Sequence, residues 1–65
     1  MLQISLAAAR VNAGLTQREA AEKVGVSHVT LLNWEHGKTR PDIATARRLA
    51  ELYEIPLDNL YLSDN

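Results

Sequence analysis

The chain has no cysteine, no phenylalanine, one tryptophan, two tyrosines, two prolines and three glycines among its 65 residues. Without cysteine, neither a disulfide nor a thiolate metal site can hold it together. With so few aromatics against 46% hydrophobic residues, many of them alanine, a core has to be built from helices that approach closely. No apolar run comes near the roughly 20 residues needed to span a bilayer. Neither end shows a basic stretch followed by an apolar one. The expectation is a soluble, cytoplasmic protein with no membrane partner. A chain of this size makes a single domain over residues 1–65 and buries only about 60% of the surface it would expose unfolded. That argues against a sizeable pocket for a cofactor or other small-molecule ligand.

Excess charge of one sign is missing too. A net charge of −1 is not the strongly basic footprint usual for nucleic-acid binding, but the distribution is uneven. Residues 1–41 carry five cations (Arg10, Arg18, Lys23, Lys38, Arg40) against Glu19, Glu22 and Glu35, a balance of +2. Residues 42–65 carry Arg47 and Arg48 against Asp42, Glu51, Glu54, Asp58 and Asp64, a balance of −3. The positive half contains the stretch with the densest structural signals.

That stretch is TQREAAEKVGVSHVTLLNWEHG, Thr16 to Gly37. Thr16 with Glu19 three residues on is a capping-box pattern, and Ser27 is a good N-cap for a following helix. Gly25 supplies a left-handed stop for the first of the two helices, and Gly37 for the second. Two short helices joined by a glycine-containing turn make a helix-turn-helix over about 16–36. On the second of them, spacing puts Ser27, Thr30, Leu31 and Trp34 on one side, where an apolar stripe enters a core. His28, Val29, Leu32 and Asn33 share the other side. An imidazole, a carboxamide and two apolar groups are types that touch base edges and the thymine methyl in a major groove; the plain alternative is that they face water.

Around this unit, residues from about Gln3 to Ala13 read as a first helix stopped by Gly14, with Ile4, Leu6, Ala9 and Ala13 inward and Leu15 packed under the turn. Gln17 to about Val24 follows, with Ala20, Ala21 and Val24 as its inward stripe. The first turn of that helix exposes Gln17 where backbone amides favour an anion such as phosphate. Lys38, Thr39, Arg40 and Pro41 form a polar loop whose cations suit a DNA backbone contact or, more simply, water. Asp42 caps a fourth helix to about Tyr53 with Ile43, Ala46, Leu49, Ala50 and Tyr53 at helical spacing. After Glu54 to Pro56, Leu57 to Leu62 reads as one last short helix with Leu60 inward. The fold class expected is therefore all-α, a compact bundle of five short helices.

The words GLTQREAAEKVGVSHVTLLNWEHGKTRP and RRLAELYEIPLDNL closely resemble the phage-repressor and Cro-type helix-turn-helix family, also called the XRE family, over nearly the whole chain. The resemblance implies a lambda-repressor-like DNA-binding domain whose third helix, about 28–35, enters the major groove of double-stranded DNA, usually as a symmetric dimer on a palindromic operator. It implies that Gln17 holds a phosphate and supports the first reading residue. Ser27, His28, Val29 and Asn33 then match base-reading and nearby positions, and Lys38, Thr39 and Arg40 a backbone-contacting loop. It also implies a structural salt bridge between Arg10 and Glu35. Ala20 stands where relatives usually have leucine, Arg47 where they often have an apolar residue and Glu54 where they often have glycine.

Catalysis finds no support in the residues. His28 and His36 lie eight apart at opposite ends of one helix and cannot share a metal with ordinary geometry, and no phosphate-binding glycine loop or nucleophile elbow is present. The expected function is a transcriptional regulator, a repressor, acting as a homodimer through surface residues such as Leu52, Leu57 and Tyr61. The competing reading is a protein-interaction module that keeps the fold and has little DNA reading.

Overall fold

Four N-caps lay down the architecture. In the computed structural model, which describes residues 3–62, Ser5, Thr16, Ser27 and Asp42 each accept a hydrogen bond from a backbone N–H three residues on, at 2.8–3.1 Å. Four helices start immediately after them: α1 (Leu6–Asn12), α2 (Gln17–Val24), α3 (His28–Glu35) and α4 (Ile43–Tyr53). A 3-10 turn at Leu57–Asn59 follows. Two two-residue strands, β1 (Ile4–Ser5) and β2 (Leu60–Tyr61), complete the fold. Residues 1–2 and 63–65, and with them Asp64 of the acidic half, lie outside the described residues.

The five-helix, all-α expectation is corrected at both ends. Ser5 caps α1 in an extended conformation, so Gln3 and Ile4 precede the helix and do not belong to it. Ile4 and Ser5 pair in parallel with Leu60 and Tyr61. The segment expected as a fifth helix makes only one tight turn before running extended into that pair, with Asn59 N–H donating to the Pro56 carbonyl at 2.9 Å. Gln3 Nε2 reaches the Asp58 carbonyl at 3.3 Å and adds to the closure. Two backbone segments with unmet hydrogen-bonding groups thus satisfy each other across the fold.

The core holds Leu6 and Ala9 of α1, Ala20, Ala21 and Val24 of α2, Leu31 of α3, Leu49, Ala50 and Tyr53 of α4, and Leu60. Leu15, Val26 and Trp34 pack against it half-buried. Alanines on α2 let α3 approach closely, and Ala20 is fully buried. Two expected inward residues are not inward. Ala13 is exposed because α1 ends at Asn12. Ile43 keeps the helical spacing of its stripe but is the first residue of α4, and it stays 60% exposed; a stripe is buried only as far as another element covers it. Among the described residues no helix is long and apolar enough to cross a membrane.

Candidate nucleic-acid interface

The turn between α2 and α3 sets their angle. Gly25 adopts φ +87, a left-handed conformation that costs a side-chain-bearing residue more than glycine. Its N–H and that of Val26 both donate to the Ala21 carbonyl, at 2.9 and 3.0 Å. The capping box at the start of α2 is complete: Glu19 N–H donates to Thr16 Oγ1 at 3.1 Å, and Thr16 N–H donates to Glu19 Oε1 at 2.9 Å. Hydrogen bonds from the Thr16 backbone and hydroxyl hold the Glu19 carboxyl below its ordinary range. Ser27 Oγ accepts from Thr30 N–H and donates to Thr30 Oγ1 at 2.8 Å.

On α3, Leu31 is buried in the core while Val29 is 66% exposed. His28, Leu32 and Asn33 are half-buried. After Glu35 the chain turns through His36 and Gly37. Lys38 N–H donates to the Asn33 carbonyl at 2.9 Å and Gly37 N–H to the Trp34 carbonyl at 3.2 Å, which caps the end of α3. Lys38, Thr39 and Arg40 are exposed, and Pro41 is buried behind them. His28, Val29 and Asn33 thus lie on α3 and the cationic loop follows its C-terminal turn, while Gln17 at the start of α2 is linked to His28.

A polar chain anchors this surface. Arg10 Nε donates to Glu35 Oε2 at 2.7 Å, with the two side chains only 13% and 3% exposed. Arg10 Nη1 donates to the Leu15 carbonyl at 2.9 Å, so one guanidinium joins α1, the turn after it and the end of α3. Gln17 Nε2 donates to Glu35 Oε1 at 3.1 Å, and Gln17 Oε1 lies 3.2 Å from His28 Nε2. The resemblance had Gln17 supporting the first reading residue, but the link from Glu35 to Gln17 was not read from the sequence. A signal for it exists: His28 and Glu35 are seven residues apart, two helical turns, and so share a face. Near the ion pair, Tyr53 is 3% exposed and its hydroxyl has no hydrogen-bond partner among the described residues. Burial first, with the Glu35 charge adding and Arg10 opposing, pushes its pKa from 10.0 up to about 12. No three acidic or histidine side chains among the described residues gather into a metal-binding group.

Two short helices at an angle, a glycine turn between them and a second helix with one face outward define a helix-turn-helix protein. The chain belongs to the helix-turn-helix family, which matches residues 6–60. It is 41% identical over 56 residues to the HTH-type transcriptional regulator ImmR of Bacillus subtilis, covering 86% of this chain and 44% of that one. It is 34% identical over 56 residues to an uncharacterized HTH-type transcriptional regulator of Archaeoglobus fulgidus, covering 86% and 80%. With the cryptic phage CTXphi transcriptional repressor RstR of Vibrio cholerae it shares 37% identity over 51 residues, covering 78% and 46%. The chain thus spans less than half the length of ImmR and RstR. No solved structure matches it significantly.

Proposed function

We propose that the chain is a sequence-specific, double-stranded-DNA-binding transcriptional regulator of the cytoplasm, a repressor, which lays α3 in the major groove as a homodimer on a palindromic operator. The observation that carries this reading is that α3 exposes Val29 and leaves His28 and Asn33 half-exposed, that the loop after it exposes Lys38, Thr39 and Arg40, and that Glu35 at its end is bonded to Arg10 of α1. Polar readers and an apolar group that meets a thymine methyl suit base edges. The loop cations and the N-terminus of α2 at Gln17 suit the flanking phosphates. The regulator and repressor names of ImmR and RstR support the same conclusion. For the dimer, Tyr61 is 49% exposed on the last strand. Leu52 and Leu57 are half-buried against the core and offer only their outer edges.

Selection from a random duplex library at about 0.15 M salt, where the Debye length is near 8 Å, tests the reading. Enrichment of an inverted repeat is expected. A folded protein that enriches no sequence would instead favour a protein-interaction module, for which the exposed Val29 and the half-buried Leu32 would be contact residues.

A further inference from the structure

The hydrogen bonds between Glu35 and His28 run in one direction. A carboxylate facing a guanidinium accepts and does not donate, so Glu35 requires the amine end of Gln17, which it meets at 3.1 Å. Turning the amide over would set its oxygen against that carboxylate. The amide oxygen is therefore directed at His28 Nε2, 3.2 Å away. An amide oxygen only accepts, so Nε2 carries a hydrogen in the neutral ring as well as in the charged one. With Nε2 engaged by Gln17, Nδ1 is the ring nitrogen left to meet a base.

Resting on the reading of α3 as the groove-facing helix, we propose that Glu35, acting through Gln17, is a positioning residue that fixes the His28 tautomer, so that His28 reads a base edge through Nδ1 alone. With its hydrogen on Nε2, the neutral ring accepts at Nδ1 from an exocyclic amine, adenine N6 or cytosine N4, which the opposite tautomer could not do. One position of the target is therefore expected to favour adenine or cytosine.

Two measurements test this. On the free protein at about pH 8, nitrogen-15 NMR of the histidines should show a protonated Nε2 and a bare Nδ1 for His28. Gln17→Met should move both signals toward the averaged values of an unconstrained ring. Duplex selection at the same pH should favour adenine or cytosine over guanine at one half-site position, by on the order of 10-fold. His28→Ala should abolish that preference, Gln17→Met should blur it and His36→Asn should leave it. A guanine preference at the position that His28→Ala alters, a preference that survives His28→Ala, or His28 signals unmoved by Gln17→Met overturns the proposal and leaves the DNA-binding reading standing. No enriched sequence overturns both.

Discussion

Asn33 and Lys38 sit five residues apart and are expected to fail in different ways. Asn33→Ala should relax sequence preference by roughly 1–3 kcal/mol at one base pair, whereas Lys38→Ala should weaken all duplexes alike and lower the salt dependence; fluorescence-anisotropy titrations of cognate and scrambled duplexes at several salt concentrations separate the two. Arg10 has no such role at the surface. Arg10→Met strands the Glu35 carboxylate, which is 3% exposed, and should cost about 3–5 kcal/mol in urea unfolding. Tyr53 makes a pH prediction. Its folded pKa is raised to about 12 from 10.0, so the fold favours the protonated hydroxyl. The corresponding stability is complete below about pH 10 and is lost as pH rises toward about 12, where the unfolded chain gives up its proton first; the loss is about 3 kcal/mol. Tyr53→Phe should remove that alkaline step in denaturant titrations across pH. At neutral pH it should be neutral to stabilising by about 1 kcal/mol, because the hydroxyl it deletes is buried without a partner.

At the scale of elements, the ends of the helices explain one departure from the family pattern. Glu54 ends α4 at φ +58, the one left-handed residue other than glycine among those described. The family resemblance makes glycine the expected residue there, and that conformation costs an L-residue about 1 kcal/mol or more. Glu54→Gly should therefore raise stability by about 1 kcal/mol, read as a shift in the thermal midpoint. The spans of α2, α3 and α4 were legible because each is bounded by signals within a few residues: Thr16 with Glu19, Gly25, Ser27, Gly37, and Asp42. Ser5 is a signal of the same kind that went unused, and α1 consequently starts later than the residues from Gln3 were expected to form helix. The exposure of Ile43 was not legible, since periodicity assigns a face without saying where the covering element stops.

For the whole molecule, the exposed cationic loop directly follows α3, while Asp42 and Glu54 cap α4, Glu51 lies within it and Asp58 lies in the turn beyond. The proposed dimer places two copies of α3 about 34 Å apart, one turn of the duplex. Sedimentation on a palindromic duplex should show two chains per site; a fixed single chain, free and on DNA, would remove the dimer. The family resemblance named the Arg10–Glu35 pair and the Gln17 contact, but the path from Glu35 through Gln17 to His28 exists only once α1, α2 and α3 are assembled. The sequence by itself determined the elements whose causes are local: caps, glycine stops and helical stripes act within one or two turns of chain. Only the tertiary structure decided the pairing of Ile4 and Ser5 with Leu60 and Tyr61, and the direction of the hydrogen bonds that reach His28. A strand's partner and a side chain's donor come from distant parts of the chain, and nothing in a residue's own neighbourhood specifies them.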